Sequence, residues 1–120
     1  MNNLFHDYTS EQFQAQALAV FAFQYQNNAV YQEFCNYFNK TPKTVHALKE
    51  IPFLPIEFFK SKEIYAATNA PEEIFTSSGT TGNQTSRHLV SFLALYRESF
   101  RKGFAHFYGE IGSYIFLALL

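Results

Sequence analysis

Residues 77–82 read Ser77-Ser78-Gly79-Thr80-Thr81-Gly82, four hydroxyl side chains and two glycines in six consecutive positions. Each hydroxyl carries a proton to donate, and glycine admits backbone geometries closed to other residues while letting a ligand approach the main chain. Successive amide N–H groups in such a turn form a concave nest for an anion. Arg87, just downstream, adds a permanently charged fork suited to a phosphate oxygen, and a threonine hydroxyl is a natural ligand for Mg²⁺. His88 lies beside it as a second candidate for the phosphates, although a histidine there also suits simple packing at the start of a helix. The chemistry these residue types describe is the holding of a phosphate chain. It is not done by a Walker loop, which needs G-x-x-x-x-G-K-[ST], nor by a dinucleotide fingerprint, which needs G-x-G-x-x-G.

Elsewhere the reactive residue types have plainer readings. Cys35 is the single cysteine of the chain, which excludes an intrachain disulfide and a cysteine-based zinc site and fits a reducing cytoplasm. It falls on an aromatic stripe, where a free cysteine behaves as a small hydrophobe. His6, His46, His88 and His106 show no metal-ligand spacing, so no metal ligands are assigned. No residue is assigned a catalytic role. Lys60 and Lys62 read as solvated charges.

The elements that must position the loop follow from periodicity. Thr9 and Gln12 form a capping box before Phe13, Ala17, Val20, Phe21 and Phe23. A second helix is expected from Asn27 or Asn28, with Val30, Tyr31, Phe34, Cys35 and Phe38 on one stripe, ending by Thr41-Pro42. Val45, Leu48 and Ile51 allow a further short helical piece. Two prolines three apart then make 51–56 an extended connector on the core. Residues 57–65 form a weak strand candidate, and a strand is expected at Glu73-Ile74-Phe75, with the loop running from it through His88 to a helix after Ser91. That helix carries Leu93, Tyr96, Phe100, Phe104 and Phe107 and ends at Gly109 and Gly112. The uniformly apolar run 113–120 suits a strand buried on both faces of a parallel sheet.

Length and charge set the outer limits. At 120 residues the chain is one domain at most, and its 15 Phe and 8 Tyr supply ample apolar area for a folded core. A formal net charge of -1 leaves no global positive field for nucleic acid or an anionic membrane. The longest apolar run is far short of the ~20 residues that span a bilayer. The N-terminus has no basic, then apolar, secretory pattern. The expected class is α/β, with N-terminal helices (1–44) leading into a phosphate-loop-containing part (45–120) that begins a mixed or parallel sheet. A parallel strand needs neighbours, so the chain is expected to be the N-terminal part of a larger protein, with a downstream domain beyond it.

Ser77-Ser78-Gly79-Thr80-Thr81-Gly82 after a short strand resembles the phosphate-binding loop of the adenylate-forming superfamily of acyl-CoA ligases and related enzymes. With Ser86-Arg87-His88 downstream and Ile51-Pro52-Phe53-Leu54-Pro55-Ile56-Glu57-Phe58-Phe59-Lys60 upstream, the chain looks like the acyl-protein synthetases of LuxE type, over about residues 45–120. The resemblance implies a cytoplasmic ligase that uses ATP and Mg²⁺ to activate a carboxylic acid, of fatty type, as an acyl-adenylate and passes the acyl group to a protein thiol. Its implied partners are an acyl-accepting or reductase protein. Ser77, Ser78, Gly79, Thr80, Thr81 and Gly82 would hold the ATP phosphates, with Arg87 in place of the loop lysine that many acyl-CoA ligases carry and His88 close by. The family's remaining catalytic groups would lie downstream, leaving these 120 residues inactive alone. Two other functions fit less of the sequence: an aryl- or acyl-CoA ligase of the same superfamily, and a non-catalytic partner-binding domain using exposed aromatics.

Overall fold

A computed structural model describes residues 5–77 and 85–117. The chain forms two compact units, Asp7–Ser91 and a second made of Met1–His6 with Phe92–Leu120.

The first unit opens with α1 (Ser10–Asn27). Its N-terminus carries the expected capping box: the Gln12 amide donates to Thr9 Oγ1 at 3.2 Å and the Thr9 amide donates to Gln12 Oε1 at 3.0 Å. Asn28 ends α1 and starts α2 (Ala29–Tyr37). Its amide donates to Gln24 O, and its buried side chain accepts from the Tyr31 amide at 3.1 Å. One residue thus turns the chain between two helices, which places Phe21 of α1 against Tyr31 and Cys35 of α2. Helix α2 ends at Tyr37, four residues before Thr41-Pro42. Asn39 adopts φ 54°, and the Asn39 and Lys40 amides donate back to Asn36 O and Cys35 O, a Schellman closure that asparagine tolerates.

Val45 closes the core formed by Phe21, Tyr31 and Cys35, with Leu18, Tyr25, Phe34, Ile51 and Leu54 packed around it. A 3₁₀ turn, Leu48–Glu50, is the expected short helical piece. The Glu50 carboxylate accepts from the His46 and Ala47 amides at 2.9 and 3.1 Å, and these bonds hold its pKa below the usual carboxylate value. The proline connector then lies on the core as expected, tied down by the Tyr31 hydroxyl, which donates to Pro52 O at 2.6 Å.

The strand expected in 57–65 is instead a single helical turn, α3 (Phe58–Ser61). Pro55 starts it: its carbonyl accepts from the Phe58 amide at 3.1 Å, and the fixed φ of proline suits a helix start. Tertiary packing selects the turn, because it sets Phe58 edge-on to Phe34 at 5.8 Å while Phe59 faces the other way. The expected strand appears as β1 (Glu73–Thr76). A strand the periodicity did not reveal, β2 (Arg87–Val90), follows the loop and pairs with it antiparallel. The sheet among the described residues is therefore a two-stranded antiparallel hairpin with no parallel pair, an arrangement that fits a mixed sheet but not an all-parallel one. Helix and sheet are both present, as the α/β class requires.

In the second unit, α4 (Leu93–Tyr108) begins just after Ser91 as expected. Phe104 gathers Tyr108, Tyr114 and Phe116 at ring separations of 5.0–5.5 Å. Gly109 ends the helix at φ 84°, ψ -157°, a region accessible only to glycine. A Cβ there would meet no atom within 4 Å, so Gly109→Ala should cost backbone strain alone, about 1–3 kcal/mol, read as a lowered midpoint in denaturant. After a 3₁₀ turn (Ile111–Ser113), residues 114–117 form no strand, and Ile115 and Leu117 are almost fully exposed. The buried strand expected over 113–120 is corrected to this extent: apolar side chains do not make a strand without a neighbour to take its backbone hydrogen bonds, and none pairs with 114–117 among the described residues. Residues 118–120 lie outside the described ones.

Candidate functional site

The hairpin brings the ends of the loop together. Its register pairs Glu73 with Val90, Ile74 with Leu89, Phe75 with His88 and Thr76 with Arg87. The same register runs one step further, where the Ser77 amide donates to Ser86 O at 3.2 Å. The described ends of the loop, Ser77 and Ser86, are thus hydrogen-bonded to each other.

Alternation along a strand decides which side chains share a face. Ser77, Ser86, Phe75 and His88 lie on one face, and Thr76, Arg87, Ile74 and Leu89 on the other. On the first face Ser77 Oγ accepts from the Ser86 amide at 3.1 Å and from the Ser86 hydroxyl at 2.9 Å. Ser86 Oγ is in turn 3.0 Å from His88 Nε2. The His88 ring stacks on Phe59 of α3, with centroids 4.9 Å apart and planes 22° from parallel. Ser86 is 5% exposed, so this contact is made out of water. Asn28 and Ser86 are the buried polar side chains among the described residues, and Asn28 is spent as a helix cap.

Of the residues singled out by sequence, Ser77 stands at the hairpin edge and His88 is half-buried beneath it. Arg87 is exposed and faces away from both, opposite Thr76. Adjacent strand residues point to opposite sides, so Arg87 and His88 do not form one cluster. His88 sits within β2 and not at a helix start. Ser78, Gly79, Thr80, Thr81 and Gly82 lie outside the described residues. Ser86 and Phe59 were quoted above only as parts of family-like segments, and sequence reasoning gave neither a place in the site. The signal for Ser86 was its spacing from His88, which puts both on one strand face once residues 86–90 are extended. Nothing local in the sequence ties Phe59 to His88, since the two rings meet through tertiary packing.

Beside this hairpin the same unit contains an open apolar cavity of about 910 Å³. Phe13, Phe21, Tyr31, Leu54, Phe59 and Leu89 are among its walls. Phe59 is shared: it borders the cavity and also carries the His88 ring. A space of this size falls within the range of small-molecule sites. Among the described residues no group of three or more His, Cys, Asp or Glu side chains is placed to hold a metal ion, and no helix is long and apolar enough to cross a membrane.

The family model for acyl-protein synthetase, LuxE, matches residues 3–107. The chain belongs to the LuxE acyl-protein synthetase family. The match includes the capped N-terminal helices, which carry no motif of their own, as well as the hairpin and its loop, so both belong to the LuxE unit. No curated protein and no solved structure matches the chain. At family level the match points to an acyl-protein synthetase.

Cys35 is fully buried, and burial raises its thiol pKa, while a hydrogen bond with Tyr31 acts in the opposite sense. It is a packing residue.

Proposed function

We propose that this LuxE-family protein activates a carboxylic acid, of fatty type, with ATP and Mg²⁺ in a large adenylate-forming domain, and transfers the acyl group to a protein thiol in the cytoplasm. A carboxylate oxygen bonds to the α-phosphorus of ATP as the bond to pyrophosphate breaks. A thiolate sulfur then bonds to the acyl carbon and AMP leaves with the electron pair. In this reading Ser77, Ser78, Gly79, Thr80, Thr81 and Gly82 hold the β and γ phosphates, and Arg87 contributes charge at the loop exit from the opposite face. Mg²⁺, bound with the phosphates, supplies neutralisation of the charge that builds on the departing pyrophosphate. Cys35 is inaccessible, so the accepting thiol is another cysteine.

The observation that carries the reading is the serine pair closing the hairpin. It joins the two strands that flank the hydroxyl- and glycine-rich segment in sequence and holds Ser77 Oγ at the edge of that segment, which supports the reading. These groups are neutral donors suited to an anion, which fits a phosphate chain.

The test is carboxylate-dependent exchange between ATP and pyrophosphate by the natural full-length protein, over a panel of fatty and aromatic acids. Thr80→Ala and Gly82→Ala should each reduce exchange by about tenfold or more, as loss of a donor to a charged group and of the loop geometry would. Product analysis should find the thioester on protein and not on coenzyme A. Exchange unaffected by both substitutions would refute the loop assignment.

A further inference from the structure

The hydrogen bonds beneath the loop have a direction. Ser77 Oγ accepts two, from the Ser86 amide and the Ser86 hydroxyl, and a hydroxyl oxygen has two lone pairs. What remains to Ser77 is its proton, so the hydroxyl acts outward only as a donor. Ser86 has given its own proton to Ser77, so in its 3.0 Å contact with His88 it must accept. The tautomer that completes the chain carries its hydrogen on His88 Nε2, and the stack on Phe59 fixes the plane in which that hydrogen is aimed. The result is an ordered chain: His88 Nε2–H to Ser86 Oγ, Ser86 O–H to Ser77 Oγ, and the Ser77 proton outward. Each bond polarises the next, and burial of Ser86 keeps water from competing.

We propose that Ser86 and His88 are positioning residues that make the Ser77 hydroxyl a preset donor to an anionic phosphate oxygen. The inference rests on the reading of 77–82 as the phosphate loop. Neither residue needs to touch the ligand. Their effect passes through Ser77, whose proton would otherwise be free to rotate back toward the protein. Phe59 serves the same chain by holding the imidazole flat.

Three single variants of the natural protein, and the double variant His88→Phe with Ser86→Ala, test this by ATP–pyrophosphate exchange, with kcat and KM measured separately for ATP and for the acid. His88→Phe keeps a ring to stack on Phe59 and removes the donor. His88→Gln restores an N–H near the position of Nε2. Ser86→Ala breaks the chain in its middle. His88→Phe and Ser86→Ala should each lower kcat/KM for ATP by about tenfold, with the KM of the acid and the melting temperature little changed. His88→Gln should recover activity to within about threefold of wild type, and the double variant should be no worse than either single one, because one chain cannot be broken twice. If His88→Phe melts early, Ser86→Ala decides. Wild-type ATP kinetics in a folded variant lacking either link would overturn this inference and leave the phosphate-loop reading standing. A folded wild-type protein with no exchange on any acid would overturn both.

Discussion

Phe21→Ala should lower the unfolding free energy by about 3–5 kcal/mol, the range for removing a buried phenyl ring from a core. Phe21 is 3% exposed and lies between the rings of Tyr25 and Tyr31, at centroid distances of 6.3 and 6.2 Å. Its loss removes both the transfer free energy of the ring and the edge-to-face contact with Tyr31. The neighbours are poorly placed to collapse into the space. Tyr31 is anchored to Pro52 O, Tyr25 donates to Asn36 Oδ1 at 2.6 Å, and the two helices are joined through Asn28. A held cavity places the cost in the upper part of the range. Denaturant titration checks it: a midpoint shift worth less than 1 kcal/mol would mean that these helices do not share the core described here. The same ring borders the apolar cavity, so the variant should also enlarge that space.

Above pH ~8.5 the protein should lose stability steeply, by about 1.4 kcal/mol per pH unit for each buried acid whose ionisation lags in the folded state. Two such acids touch in the core. Burial pushes the Tyr31 phenol far above its ordinary value, and the adjacent Cys35 thiol adds to the shift. Burial likewise raises Cys35. A raised folded pKa means that the stabilising contribution is whole below the unfolded pKa and is lost as pH rises toward the folded one. Cys35 should therefore set the first decline, from about pH 8.5, and Tyr31 a second from about pH 10, the unfolded values of thiol and phenol. Melting temperature measured from pH 7 to 11 gives the curve. Cys35→Ala should remove the first segment while keeping the second, and an unchanged slope in that variant would refute the assignment.

Local signals in the sequence carried far when they rested on contacts between near neighbours. The Thr9–Gln12 box, the Asn28 cap, the proline connector and the start of α4 needed only residues three or four apart to interact. The stripe of α2 marked Tyr31 and Cys35 as core, whereas on α1 Phe21 is buried and its stripe partners Phe13, Val20 and Phe23 stay about half exposed, as does Phe38, because which face a helix buries depends on what packs against it. The loop motif pointed to the family for a related reason: hydroxyls and glycines in six consecutive positions are a local chemical statement. Residues 57–65 show where this stops, since the same apolar side chains suit a strand or a turn of helix until Phe34 and His88 select the turn.

Local residue patterns were enough for the two capped helices and for the hydroxyl- and glycine-rich motif that marks the family. Packing alone decides that β1 and β2 pair antiparallel, that Arg87 and His88 face opposite ways, and that Ser86 is buried between Ser77 and His88. The reason is physical. Helix capping and turn chemistry are satisfied within a few residues, whereas strand pairing, side-chain facing and the direction of a hydrogen-bond chain depend on partners brought together by the fold.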